Sequence, residues 1–177
     1  TVHAHRGFSL VELVAGLAVA SVLAALAVPA FRGTLADSRR TAAVNALVRA
    51  VHGARVAAMT RGVDVAVCPS RDGRQCSPGP DWAGGFLAFA NRDRDQPPRV
   101  DAGEPVLVVG GAYAGGSIRA NRASFVLRPP GRRSVNGTFV VCDARGLPAA
   151  RVVVVSPSGR PRTAPATEAP SPVSCPR

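Results

Sequence analysis

Near its C-terminus the chain reads Val152-Val153-Val154-Val155-Ser156-Pro157-Ser158-Gly159-Arg160-Pro161-Arg162, an apolar run that ends in a glycine turn carrying two arginines. A guanidinium is planar, permanently charged and forked, so it grips a phosphate through two parallel hydrogen bonds. Pro161 limits the backbone between Arg160 and Arg162, which lowers the entropic cost of presenting two such forks together. Arg132 and Arg133, in the turn PPGRRSVNG, are further candidates for phosphate contact, and Arg119, Arg122 and Arg128 are weaker ones. Solvated loop arginines that only keep a surface soluble have the same appearance, so the pattern alone leaves both readings open.

Other chemistry finds less footing. No nucleophile and base stand in a recognisable framework, His52 falls in a predicted helix among apolar neighbours, and no phosphate-binding glycine loop follows a strand, so an enzyme is not expected. No cofactor is implied. The cysteines Cys68, Cys76, Cys142 and Cys175 contain no Cys-x2-Cys pair, and His3, His5 and His52 lie far from them in sequence, which makes zinc the weaker reading. Asp93, Asp95 and Asp101 have part of the spacing of a calcium loop. Arg92, Arg94 and Arg99 are interleaved, however, and the Gly and final Glu of such a loop are out of place, so a solvated turn is the expectation and no metal site is assigned.

The charge is regional. The chain has 22 basic residues against 11 acidic ones, and every basic residue is Arg. Residues 119–177 hold ten Arg against Asp143 and Glu168, a net of +8, whereas residues 68–104 hold five Arg against six acids, a net of −1. A local excess of arginine suits a polyanion such as nucleic acid or an anionic surface; solubility of an exported domain is the alternative.

The elements that must position these groups begin with an anchor. From Phe8 to Phe31 the residues are apolar except Ser9, Glu12, Gly16, Ser21 and Pro29, and a helix of that length spans about 36 Å, enough to cross a hydrocarbon core of roughly 30 Å. A carboxylate within such a segment costs about 2–3 kcal/mol at the bilayer centre, so Glu12 reads as a group that needs a partner. Pro29 should kink the helix. A secretory signal with a small-residue cleavage site near Ala24–Ala30, or a plain single-span anchor, fits the same composition. From Phe31 to about Arg61 the pattern becomes amphipathic, with Leu35, Val44, Leu47, Val48, Val51, Ala58 and Met59 as the apolar stripe, and Gly62 is a natural stop. Thereafter the residues shorten into strand-length runs, 63–68, 85–90, 105–109, 124–128, 138–142 and 151–156, joined by connections too short for repeated crossover helices. The periodicity predicts an α+β fold, a long N-terminal helix on an antiparallel sheet.

Because the anchor delivers the remainder of the chain across a membrane, the cysteines are expected to form disulfides. Of three pairings, Cys68 with Cys76 and Cys142 with Cys175 each close a segment without threading. Chain-entropy arguments assign them about 2.6 and about 3.7 kcal/mol. The second would tether the Pro-rich residues 163–177, which otherwise should wander, and would enclose the arginine turn.

Arg6-Gly7-Phe8-Ser9-Leu10-Val11-Glu12-Leu13 closely resembles the class III leader junction of type IV pilins and type II secretion pseudopilins. The resemblance implies a pilin-like fold, removal of the leader 1–7 by a prepilin peptidase between Gly7 and Phe8, and methylation of the new amino group of Phe8. It further implies that Glu12 pairs with the terminal amine of an adjacent subunit during filament assembly, and Pro29 matches the family's kink position. AVCPSRDGRQC, DWAGGFLAF, Phe139-Val140-Val141-Cys142 and VVVVSPSGRPR together are similar to the FimT and GspH group of minor pilins and pseudopilins. FimT-type subunits carry a Gly-Arg-x-Arg motif that binds DNA, and Gly159, Arg160, Pro161 and Arg162 match it position by position. The resemblance thus implies an inner-membrane subunit with a periplasmic domain, later part of a pilus at the cell surface. Its partners would be DNA, other pilin subunits and the prepilin peptidase. GspH-type subunits of type II secretion, which serve protein export, are the alternative. The implied organisation is leader 1–7, membrane and assembly half-helix 8–31, amphipathic half-helix 32–62, β-rich domain 63–162 and tail 163–177.

Overall fold

A computed structural model describes residues 9–176. Helix α1, Leu10–Arg61, runs across Pro29 without interruption. Two compact units divide the chain at Ser38 and Arg39. In the first, the side chains of Leu10, Val11, Leu13, Val14, Leu17, Val19, Val22, Leu23 and Leu26 are all well exposed, as expected of a surface meant for lipid or for other helices. The helix start is closed by a reciprocal cap that the S-x-x-E spacing encodes. Glu12 N donates to Ser9 Oγ at 3.2 Å, while Ser9 N and Oγ donate to Glu12 Oε2 at 3.3 and 3.4 Å.

In the second unit, Val44, Leu47, Val51, Ala54 and Ala58 recur at alternating three- and four-residue steps and are buried. Ala50 joins them, whereas Met59 is exposed, so the buried stripe is narrower and richer in alanine than the sequence suggests. Small side chains there let the sheets approach the helix closely. Gly62, at φ 67°, accepts the left-handed conformation that ends α1.

Among the described residues eight strands follow: β1 Asp64–Pro69, β2 Phe86–Asn91, β3 Val106–Gly110, β4 Gly116–Ala120, β5 Phe125–Leu127, β6 Gly137–Asp143, β7 Arg151–Val155 and β8 Pro161–Pro165. They form two antiparallel sheets, ordered β3-β2-β1-β5 and β4-β6-β7-β8, instead of the single sheet expected. Strands β4 and β8 were not expected. Their sequences, GSIRA and PRTAP, lack strand character; pairing with β6 and β7 recruits them at the sheet edges, where Pro is tolerated.

Both sheets turn one face to α1. Val65, Val67, Phe86 and Phe125 from the first sheet and Phe139, Val141, Val153 and Val155 from the second share a core with the helix stripe. Trp82, Phe125 and Phe139 lock it, with ring centroids 4.4–5.8 Å apart.

The opposite faces are buried as well, each beneath a disulfide-tethered cover. On the first sheet, Ala66, Cys68, Leu87, Phe89 and Val126 lie under Cys76, Val100 and Val135, with Cys68 bonded to Cys76. On the second, Val140, Cys142, Val152 and Ala164 lie under Ala166, Ala169, Val173 and Cys175, with Cys142 bonded to Cys175. Residues 163–165, expected as the start of a wandering tail, belong to β8, so the expected boundary after Arg162 falls inside a strand.

Candidate nucleic-acid interface

Residues 156–160 join strands β7 and β8, with Pro157-Ser158-Gly159 at the tip. Gly159 N donates to the Ser156 carbonyl at 2.8 Å and Ser156 N to the Arg160 carbonyl at 3.0 Å, and Arg160 N donates to Ser156 Oγ at 3.1 Å. This is a type I turn closed by a left-handed residue. Glycine is required there twice over: φ is 73°, and an added Cβ would lie 2.8 Å from Leu127 Cδ1, 3.2 Å from Ser134 Oγ and 3.3 Å from Arg55 Cδ.

Those three atoms come from three separate parts of the chain, so the tip is seated in a pocket. Ser134 N donates to the Pro157 carbonyl at 2.9 Å and Ser134 Oγ accepts from Arg128 N at 3.1 Å, which fastens the β5–β6 loop to the hairpin. From α1, Arg55 Nε donates to the Ser158 carbonyl at 2.9 Å. Ser134 and Arg55 had no place among the expected site residues. The helical stripe would put Arg55 at its border, but no local pattern indicates which loop it meets.

The sequence candidates therefore separate. Arg160, Arg162 and Arg133 are exposed, and among the described residues their guanidinium groups have no hydrogen bond or ion pair. Arg160 and Arg162 stand two residues apart at the start of β8, a separation of about 7 Å along an extended strand. Arg132 is different. Its Nη1 lies 2.6 Å from Oδ1 of Asp64, a carboxylate that is 3% exposed. Arg128 Nε lies 3.5 Å from the other oxygen, too poorly aligned to form a hydrogen bond, while Arg128 Nη1 donates to the Arg133 carbonyl at 2.7 Å. The charge of Arg132 is thus opposed by a buried acid, although its side chain is still 43% exposed. Of the remaining candidates, Arg122 Nε donates to the Asn136 carbonyl at 3.3 Å, and Arg119 is exposed on β4.

A second buried acid is managed in the same way. Asp143 receives Arg40 Nη1 at 3.2 Å and Arg145 through Nη2 at 2.6 Å and Nε at 3.1 Å. Hydrogen bonds from the Arg145 side chain, foremost, hold its carboxyl below the ordinary range. Burial, foremost, and then the nearby Asp143 charge push the Tyr113 hydroxyl above its usual value. Tyr113 lines a mostly apolar cavity of about 350 Å³ with Ala42, Ala43, Ala46 and Phe86. None of the candidate phosphate-binding arginines borders it, and no pairing of nucleophile and base lines it.

The acidic loop folds on itself. Carboxylate oxygens of Asp93, Asp95 and Asp101 come within 4.8 Å of one another. Asp93 Oδ1 accepts from Asp95 N, Asp95 Oδ2 from Arg99 N and Asp95 Oδ1 from Asn91 Nδ2, the bonding of a tight polar turn. Burial raises the Asp95 carboxyl above its ordinary value, and the charges of Asp93, Asp101 and Glu104 raise it further.

Gly7 and Phe8, at the expected processing site, lie outside the described residues. Glu12 is exposed in the first turn of α1 and engaged there by Ser9.

Comparisons with known proteins agree with this architecture. A family profile described as Type II transport protein GspH matches residues 43–159, and one described as Prokaryotic N-terminal methylation motif matches residues 3–28. No curated protein sequence matches the chain. Two crystal structures of the type IV minor pilin FimU from Pseudomonas aeruginosa strain PAO1 share the fold. The P65 form aligns with a TM-score of 0.51 at 17% identity, over 73% of this chain and 96% of that one. The P21 form gives 0.52 at 18% identity, over 73% and 91%. An N-terminal methylation motif on an exposed apolar helix, a helix laid on two antiparallel sheets and a profile match over well over half its length lead to one conclusion: the chain belongs to the GspH family of type IV pilin-like minor pilins and pseudopilins.

Proposed function

We propose that this chain is a FimT-type minor pilin whose basic corner binds extracellular DNA, largely without regard to base sequence, for uptake during natural transformation. After cleavage between Gly7 and Phe8 and methylation of Phe8, Glu12 pairs with the terminal amine of a neighbouring subunit, and the filament displays many copies of the corner. One observation supports the reading above the others. The guanidinium groups of Arg160, Arg162 and Arg133 stand on the β7–β8 hairpin and the β5–β6 loop, which are fastened together by the bond from Ser134 N to the Pro157 carbonyl, and among the described residues no acid opposes them. The segments 128–136 and 156–162 contain no aromatic residue, so recognition runs through phosphates and not through stacked bases. Repetition along a filament raises effective concentration, so a weak single site suffices.

Titrating the full-length chain in nonionic detergent with a short duplex at several salt concentrations tests the reading. Each phosphate neutralised contributes about −0.9 to the slope of log affinity against log salt. Arg160→Ala with Arg162→Ala should flatten the slope by about 1.8, and an unchanged slope would remove this turn from the site. The match to the GspH profile favours a second reading, a pseudopilin of type II secretion that contacts other pseudopilins or exported proteins. Absence of binding even at low salt would favour it.

A further inference from the structure

Arg55 belongs to neither the helix stripe nor the Gly-Arg-x-Arg motif, yet it sits at the hairpin tip. It lies between the buried Ala54 and Ala58 and is itself half-buried. Its Nε–H is spent on the Ser158 carbonyl, and its Cδ runs beneath Gly159. A carbonyl satisfies a donor but cancels no net charge. Among the described residues the two terminal nitrogens of Arg55 have no hydrogen bond and no acid within ion-pair distance. Arg132 differs on this point, since Asp64 opposes its charge.

The strand register shows where this charge falls. Val153 and Val155 face the helix core, whereas Val154 packs toward the outer cover. Arg162 pairs with Val154 and, by strand alternation, shares that outer face. The hairpin tip therefore carries Arg55 on its helix side and Arg162 on its outer side, with Arg160 between them in sequence and Arg133 on the adjoining loop.

We propose that Arg55 is a phosphate-contacting residue of this surface as well as a brace for the hairpin, so that a bound backbone crosses the tip from the α1 side to the outer face of β8. The inference rests on the DNA-binding reading above. It assigns the surface a helix residue that the C-terminal motif does not contain.

The two roles of Arg55 can be separated by substitution. In Arg55→Gln an amide nitrogen stands where the arginine Nε stood, so the donor to Ser158 is kept and the charge is lost; Arg55→Lys keeps the charge. Salt titrations of the full-length chain in detergent with a short duplex would compare both with wild type and with the Arg160→Ala, Arg162→Ala pair, and thermal melts would verify folding. Arg55→Gln should flatten the slope by about 0.9 and Arg55→Lys should restore it. A wild-type slope in folded Arg55→Gln, with a flattened slope in the Arg160, Arg162 pair, would overturn the role of Arg55 alone. Equal losses in the Gln and Lys variants would also overturn it, since charge would then not matter. No salt-dependent binding by wild type would overturn the DNA-binding reading and this inference together.

Discussion

At the tip of the β7–β8 hairpin, arginines gathered from α1, the β5–β6 loop and β8 stand with few acids near them. In the loop between β2 and β3 three aspartates crowd together, although Arg92, Arg94 and Arg99 alternate with them in sequence. Like charges are tolerated at both places, by different means. Asp93 and Asp95 are satisfied by backbone N–H groups two to four residues away and, for Asp95, by Asn91 as well, so those bonds are all made within the loop and its flanks. At the tip, Arg55 leans on the Ser158 carbonyl, 103 residues distant in sequence, and the guanidinium groups of Arg133, Arg160 and Arg162 have no hydrogen bond or ion pair among the described residues. Carbonyls anchor a guanidinium without neutralising it, which leaves the corner's charge available to a polyanion. A charge cluster built locally satisfies itself, whereas one assembled from distant segments can remain open.

That contrast predicts unequal sensitivity to mutation. The largest effect should come from the seat of the tip. Gly159→Val combines strain at φ 73° with a clash against Leu127 and should cost about 2–4 kcal/mol in denaturant titration. Gly131→Ala, at φ 87° with nothing within 4 Å, should cost only about 1 kcal/mol. Equal costs at the two glycines would mean that the tip is not seated in its pocket.

The next effect concerns carboxylates in opposite surroundings. Asp143, hydrogen-bonded by Arg145, should titrate below the ordinary 3.8 and Asp95 above it, as followed by carboxyl NMR signals. The signs for stability are opposite. Asp143 contributes stability above pH of about 4 that is lost as pH falls through its folded-state value; Asp95 imposes a penalty at high pH that is relieved as pH falls through its raised value. Arg145→Met should move Asp143 upward and cost about 1–2 kcal/mol at neutral pH. Failure of Asp143 to move would separate it from Arg145.

The smallest effect belongs to the acidic loop. Asp101→Asn removes one like charge beside Asp95 and should lower the Asp95 value with a stability gain of at most about 0.5 kcal/mol. A loss of stability would mean that the Asp101 carboxylate holds the loop in a way its neighbours do not reveal.

Much of the fold could be read locally. The run from Phe8 to Phe31 is apolar and long enough to cross a membrane, and Val44, Leu47, Val51 and Ala58 mark the buried stripe because helical periodicity is carried by side chains four residues apart or fewer. Strands such as Phe86–Asn91 and Gly137–Asp143 announce themselves through β-branched and aromatic residues. The cap between Ser9 and Glu12 is equally legible in the S-x-x-E spacing, although an acid in an apolar segment reads first as a group seeking a partner on another subunit. Strands β4 and β8 could not be read this way. Ile118 and Thr163 alone among their residues favour extended structure, too few to mark a strand, and the ladders of β6 and β7 complete them.

Composition and spacing alone determined the apolar front, the amphipathic helix, the antiparallel strands and the presence of paired arginines after a glycine, because each depends on neighbours within a few residues. Only the tertiary structure decided that Asp64 engages Arg132, that Ser134 and Arg55 clasp the hairpin, and that Arg133, Arg160 and Arg162 are left unopposed among the described residues. Those outcomes depend on which distant segments meet, and a charge is neutralised by whatever lies beside it in space, not by what precedes it in the chain.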